Sequence, residues 1–546
     1  MKAKVVSQVD RQQFEMDEVS VRFSPPFSIS GIMEHCDQLK IRLRCRVRFG
    51  LRAWVDSFFG STAGLVLATV ALSGGALAAP ASVPHGTVYD RNGVVLVKDG
   101  PHGRDYVYGA LAAQTLGFVA EPEGTSVPLS HGVEGMMVTP LQRPSASSPG
   151  NVRLTLDARV QYIAETALRE AGVSRGAVVI MNPQNGDVLA MVSLPSCDPN
   201  TLVKGLSAQE WKAMNDDPAQ PLVNRSLRAT TPGSNFKIVV ALAGLESGKV
   251  TAETLFDCPT QIDIGDHHFM DAGRADAGPL KLAQAFRLSN NVFFYQYGMR
   301  TGIEAIDAMA IRAGFGQKWG VLGAADEDAG IVPGPEWMKQ NEAWLTQTHN
   351  SDHWTDAHTA NTSIGQGFVQ VTPLQMTAFM CALANGGTVY RPRLYTRIED
   401  AHGEVRESFP ESQRFGTLGV KAADLAVVQQ SLLEVVRNGT GRPAQVPGID
   451  VAGKTGTVLT VVQMDGVARR DSKSWFSAYA PFDKPRYAVT VLVEGSKPSE
   501  MASAPVAGQI LTRIFALEKR GDGTVKAVAA VKGDFSGAQA FDGSGK

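Results

Sequence analysis

Strand-forming sequence stands at both ends of a long helical stretch, and the two ends have to meet. Ala177-Val178-Val179-Ile180-Met181, the turn Asn182-Pro183-Gln184-Asn185-Gly186 and Asp187-Val188-Leu189-Ala190-Met191-Val192 read as a hairpin. Comparable strands return only near the C-terminus: Val451 to Val461, Ser474 to Ala480 and Tyr487 to Val493, the last two joined by a turn at Pro481-Phe482-Asp483-Lys484-Pro485. Helical patterns fill the interval, so the predicted fold class is α+β, an antiparallel sheet drawn from both ends of one domain and flanked by helices. Just upstream, Asp157 is placed to cap an amphipathic helix marked by Val160, Ile163, Ala164, Ala167 and Leu168 and ended by Gly172.

Charge and cysteine usage exclude several function classes. With 52 basic against 54 acidic side chains in 546 residues, the formal charge is -2. Nothing global attracts a phosphate backbone, and no nucleic-acid partner is expected. Cys36, Cys45, Cys197, Cys258 and Cys381 are widely spaced with no C-x-x-C pair, which argues against a zinc ribbon or a dense disulfide framework. Only Cys258 has suggestive company, Asp266-His267-His268 and Asp271, where thiolate, imidazole and carboxylate can converge on a metal. A polar hairpin with surface histidines accounts for the same residues, and no metal is assigned.

Lys40, Arg42, Arg44, Arg46, Arg48 and Arg52 precede a stretch from Ser57 to Pro84 without a charged residue. That pattern is a membrane-targeting signal. Its apolar core, Ala63 to Leu72, is short for a crossing helix, and Gly75-Ala76-Leu77-Ala78-Ala79 carries the small residues of a signal-peptidase site, so an anchor and a cleaved export signal both stand. Either places the bulk of the chain outside the plasma membrane. Residues 1–39 show no periodic pattern and read as a cytoplasmic tail or as sequence ahead of a start at Met33. The expected organisation is a basic segment over 1–52, an anchor or signal over 53–84, a small β-rich stalk over 85–150, a catalytic domain over 151–518 and a disordered tail over 519–546. The stalk opens with Asp90-Arg91-Asn92-Gly93 as a hairpin turn, and Arg143 to Gly150 is a linker by composition.

Three short motifs carry chemistry. Ser234 and Lys237 lie in Pro232-Gly233-Ser234-Asn235-Phe236-Lys237, ahead of the apolar run Ile238 to Leu245. At that spacing on a helix, amine and hydroxyl share a face within hydrogen-bond reach, and burial favours the neutral amine that activates a serine. Ser289-Asn290-Asn291 falls between two helical patterns, where Ser289 can relay a proton and Asn291 can hold a substrate carbonyl through its amide. Lys454-Thr455-Gly456-Thr457 lies in a predicted strand notched by Gly453 and Gly456, along which a peptide can add as a further strand. There the Thr455 and Thr457 hydroxyls and the Lys454 ammonium are placed to recognise a terminal carboxylate. Each motif alone has an ordinary structural explanation: a helix cap with a surface lysine, a capping turn, a β-bulge.

Together and in this order, S-x-x-K, an S-D-N-like turn and K-T-G resemble the penicillin-binding transpeptidases and serine β-lactamases. The match narrows to class B penicillin-binding proteins through His85 to Gly93, Asn224-Arg225, Ser363-Ile364-Gly365-Gln366-Gly367, Thr372-Pro373-Leu374-Gln375, Ala384-Asn385-Gly386-Gly387 and Trp475-Phe476 with Ala480-Pro481. Gly330-Ile331-Val332-Pro333 with Trp337 leans toward the elongation type over the division type. Two departures stand out: the stalk is much shorter than is usual in the family, and the segment from Asp271 to Gly278 lacks the usual His-Gly pair.

The resemblance implies a penicillin-binding/serine β-lactamase-like domain acting as a peptidoglycan D,D-transpeptidase on stem peptides ending in D-Ala-D-Ala, with β-lactams acylating the same serine. It implies catalytic roles for Ser234, Lys237, Ser289 and Lys454, substrate binding by Asn291, Thr455, Gly456 and Thr457, an oxyanion site at the backbone N–H groups of Ser234 and Thr457, no cofactor, and a membrane glycan polymerase as partner. The rivals are a serine β-lactamase, for which no Glu-x-x-Leu-Asn segment is present, and a β-lactam-sensing receptor, for which residues 1–39 are too short to be an effector domain.

Overall fold

The computed structural model describes residues 86–519, apart from 101–102, 121–128, 139–149, 274, 324–325, 349–352, 401, 465–466 and 496–501. The proposed membrane segment, most of the linker before Gly150 and the C-terminal tail lie outside these residues. Among the described residues no helix is long and apolar enough to cross a membrane.

The predicted sheet is present. Five strands pair in the order Ala452–Met464, Val467–Ala480, Tyr487–Gly495, Arg175–Met181, Val188–Leu194, all antiparallel. The early hairpin docks on the late strands through Val178 opposite Val491 and Val179 opposite Thr490. The hairpin strands and Tyr487–Gly495 are apolar almost without alternation because both faces are covered. Val178, Ile180, Val489 and Val491 face one core with Leu168 and Ile510, contributed by the helices Ala158–Glu170 and Ser503–Lys519. The intervening residues Ala177, Val179 and Met181 face the larger core, built by helices from the middle of the chain. Asp157 caps the first of those flanking helices as expected, its side chain accepting from the Arg159 N–H at 3.0 Å.

The run after the first motif is the central helix Lys237–Ser247, buried from Lys237 to Leu245 and ended by Gly248 in the left-handed region. Its neighbour Asn291–Thr301 crosses it closely: a Cβ on Gly244 would lie 2.2 Å from the Tyr297 ring, and the Tyr297 hydroxyl donates to Ala241 O at 3.0 Å.

The stalk strands share a sheet with the catalytic region. Val88–Tyr89 pairs with Val95–Gly100 across the expected turn, and runs parallel to Asn151–Leu154, which pairs in turn with Tyr395–Glu399. The boundary expected at residue 150 therefore falls between neighbouring strands of one six-stranded sheet. Buried carboxylates reinforce the join: Asp90 accepts from the Ala158 N–H and Glu165 from the Ala112 N–H.

Candidate active site

Ser234 lies in a single 3-10 turn, Gly233–Asn235, and the α-helix begins at Lys237. The serine thus precedes the helix instead of occupying its first turn, as the sequence had indicated. Gly233 is the reason: its φ of 55° bends the chain into the turn. The turn is clamped on three sides. Gly233 N–H donates to Gly365 O at 3.0 Å, Trp475 Nε1 donates to Thr231 O at 3.0 Å, and a Cβ on Gly456 would lie 2.6 Å from Asn235 Nδ2 and 2.7 Å from Pro232 O. Gly456 therefore serves the packing of the strand against the serine turn. No bulge interrupts the strand, whose register with Val467–Ala480 is unbroken from Ala452 to Met464.

Lys237 is fully buried. Its Nζ donates to Ser289 O and to Asn291 Oδ1, both at 2.7 Å, with a longer contact to Asn290 O at 3.4 Å. Burial above all, and then the nearby Lys454 charge, hold its amine well below the usual lysine range, opposed by Asp271. The direct bond to the Ser234 hydroxyl expected from spacing is not formed, and that hydroxyl, half-buried, has no hydrogen-bond partner among the described residues.

Ser289 joins the helices Leu282–Leu288 and Asn291–Thr301 with φ 55°, ψ 32°, a left-handed conformation that a non-glycine residue adopts only where its surroundings hold it. Asn290 caps the second helix through the Phe293 N–H. The Asn291 N–H donates to Asp271 Oδ1 at 2.5 Å. Lys454 completes the group from the edge strand: fully buried, its Nζ donates to Ser289 Oγ at 2.8 Å and to Thr455 O at 2.8 Å. The Lys454 ammonium is thus turned inward, away from the position expected for recognising a terminal carboxylate. Thr455 and Thr457 are on the half-exposed face of the strand, and the Thr455 and Thr440 hydroxyls are hydrogen-bonded to each other at 2.8 Å. Sequence alone did not single out Thr440, nor Asp271 as the support of Asn291, and it marked Gly365 only as part of a family motif, without its bond to Gly233; all three act through partners distant in the chain.

Burial pushes Lys454 down to about 7 from the ordinary 10.5. An unfolded chain binds the extra proton between those values, so stability rises with pH across that window; it falls as pH drops from 10.5 toward about 7 and levels off below, where both states carry the proton. The slope approaches ~1.4 kcal/mol per pH unit for one lysine. Denaturant midpoints of the wild type are expected to gain more than those of Lys454→Met between pH 7 and 9; parallel profiles would contradict the assignment.

The thiol and imidazoles considered for a metal do not converge. Cys258 is buried and donates to Phe256 O, its thiol pushed up to about 12 by burial. His267 and His268 are on an exposed hairpin, Gln261–Ile264 with His267–Met270, where His268 pairs with Asp263 at 2.6 Å. Among the described residues no three His, Cys, Asp or Glu side chains group to hold a metal ion.

Known proteins resemble this architecture over most of the described chain. A family model described as "Penicillin binding protein transpeptidase domain" matches residues 176–516. Peptidoglycan D,D-transpeptidase MrdA of Acinetobacter baumannii is 30% identical over 390 residues, 68% of this chain but only 56% of its own length. This chain therefore spans little more than half of that relative. Among solved structures, Pseudomonas aeruginosa PBP2 in complex with WCK 5153 superposes with a TM-score of 0.66 at 30% identity, covering 79% of this chain and 96% of that one. A ceftriaxone acyl-enzyme of penicillin-binding protein A from M. tuberculosis superposes with a TM-score of 0.64 at 25% identity, covering 79% and 98%. The five-stranded antiparallel sheet, the buried helix behind the serine turn and the matched 176–516 span lead to one assignment: this chain belongs to the penicillin-binding protein transpeptidase family.

Proposed function

We propose that the protein is a peptidoglycan D,D-transpeptidase that crosslinks stem peptides through an acyl-enzyme on Ser234 and is inhibited covalently by β-lactams at the same hydroxyl. One observation carries the reading: two fully buried lysine amines, both lowered by burial, meet on Ser289, Lys237 at its carbonyl and Lys454 at its hydroxyl. A neutral amine has two N–H donors and one lone pair. The two 2.7 Å acceptors of Lys237 take the donors, which leaves the lone pair for the proton of Ser234.

Ser234 Oγ then attacks the penultimate carbonyl as Lys237 takes its proton, and the oxyanion is held by the N–H groups of Ser234 and Thr457, such donors being worth roughly 3 kcal/mol each. The orientation of the strand supports this role for Thr457. Its carbonyl faces Gly233, and a residue in an antiparallel ladder turns its N–H and C=O to the same side. Collapse breaks the C–N bond, and the departing D-alanine amine takes a proton from Ser289 Oγ, replenished by Lys454. A second stem peptide's amine resolves the acyl-enzyme by the reverse of these steps. With Asn291 Oδ1 engaged by Lys237, the Asn291 Nδ2 is left for the substrate carbonyl. The substrate lies as an added strand along Ala452–Met464, the outermost strand of the sheet, where the Thr455 and Thr457 hydroxyls receive its terminal carboxylate beside Gly456.

In the same reading residues 53–84 hold or export the chain, the 85–150 stalk and the 151–518 domain work outside the plasma membrane, and a membrane glycan polymerase supplies the strands to be crosslinked. The basic run before an uncharged stretch supports the first of these. Purified protein incubated with a fluorescent penicillin is expected to give a stable one-to-one adduct on the peptide containing Ser234, with little turnover of nitrocefin. Fast nitrocefin hydrolysis with no lasting adduct would make the protein a β-lactamase.

A further inference from the structure

One helical turn beyond the reaction centre lies a cavity of about 460 Å³. Tyr295, four residues after Asn291 and so on the same face of its helix, lines the cavity together with His267, His268, Thr355, His358 and Asn361. The cavity is tied to the site on two sides. The strand His267–Met270 runs directly into Asp271, which accepts from the Asn291 N–H, and Asn361 O accepts from the Gln366 N–H, next to the Gly365 that clamps the serine turn.

The polar wall of this cavity is rich in donors, and no carboxylate among the described residues lines it. His358 Nδ1 accepts from the Thr355 N–H at 3.1 Å, which leaves the ring proton on Nε2. The ring is stacked on Phe368, with centroids 6.0 Å apart and planes at 16°. Burial first, and then His353 and His267, hold it below the usual imidazole range, so at neutral pH it is an uncharged donor. The Asn361 side chain has no hydrogen-bond partner among the described residues, and Tyr295 has only a long contact to Met270 O at 3.4 Å. His268 is already paired with the Asp263 carboxylate on the rim.

We propose that this cavity is a subsite for a carboxylate-bearing side chain of the peptide substrate, received by His358, Asn361 and Tyr295. The inference rests on the reading of Ser234 as the acylated serine. The carboxylate can belong to the peptide that acylates the serine or to the peptide whose amine accepts it, and two arms of one experiment separate these sources. In the first arm, release of terminal D-alanine by the full chain is compared for two peptides ending in D-Ala-D-Ala that carry glutamate or alanine upstream. In the second, one common donor is transferred to an acidic or a neutral amine acceptor.

A preference of about tenfold or more in kcat/KM for the acidic partner is expected in one arm, the size of one hydrogen bond to a charged group. Asn361→Leu, which breaks no bond seen in the structure, and His358→Phe, which keeps the stacking, are each expected to reduce it below about threefold while circular dichroism reports a folded protein. Equal kcat/KM for acidic and neutral partners in both arms overturns the subsite, as does a preference that survives both substitutions. Failure of the wild type to be labelled by fluorescent penicillin overturns the acyl-enzyme reading instead.

Discussion

Lys237→Met is expected to slow acylation by a fluorescent penicillin about a thousandfold, within the range for loss of a general base. Ser234→Ala, which removes the nucleophile, sets the zero of the assay. The methionine variant separates chemistry from folding. Replacing a buried amine by a thioether of similar length leaves the acceptors Ser289 O and Asn291 Oδ1 without a partner, but it also removes a group that is costly to charge in a dry site. Those terms oppose one another, so the unfolding midpoint is expected to change little while acylation collapses. A thousandfold loss corresponds to about 4 kcal/mol of transition-state stabilisation. Labelling within tenfold of the wild type would show that another group takes the Ser234 proton, and Lys454, joined to Ser289 on the far side, would be the next residue to replace.

The parts of this site legible in the sequence are those set by spacing along one element. The sheet was readable because Arg175–Met181 and Val188–Leu194 are short, nearly continuous apolar runs on either side of the turn Asn182-Pro183-Gln184-Asn185-Gly186, as in a hairpin of a sheet covered on both faces. Ser234 and Lys237 were readable because three positions separate them ahead of an apolar helix. The partners of the lysine were not. Its bonds reach Ser289 and Asn291, 52 and 54 positions away, and depend on how the helix Asn291–Thr301 crosses the central helix at Gly244. The inward turn of Lys454 was hidden for another reason. Successive strand residues face opposite ways, and pattern alone does not put a lysine on the buried face beside Ala452, Gly456 and Val458 while Thr455 and Thr457 take the other. The stalk strands are two to six residues long, too short for a periodic signal, so their pairing with Asn151–Leu154 emerges only in three dimensions.

Gly365→Ala is the substitution expected to damage both stability and catalysis most from outside the reacting groups. The added methyl would lie 2.1 Å from Gly233 O and 2.8 Å from Phe236 Cβ, on a residue already at φ +70°. Neither contact can be relieved by rotating a flexible side chain, because the first is backbone and the second is the root of a buried ring. Gly365 O also accepts the Gly233 N–H, so relief must come from pushing away the turn that presents Ser234. The backbone conformation alone costs on the order of 1 kcal/mol, and overpacking against the serine turn adds about 2 kcal/mol more, for a loss near 3 kcal/mol in denaturant unfolding. Displacing the nucleophile by an ångström costs about a hundredfold in rate. Gly386→Ala is the matched comparison: its φ is +88°, but nothing lies within 4 Å of its added methyl, so it carries the conformational cost without the collision. If the two alanine variants unfold at the same denaturant concentration and are acylated equally fast, the clamp between Gly365 and the serine turn is not what positions Ser234.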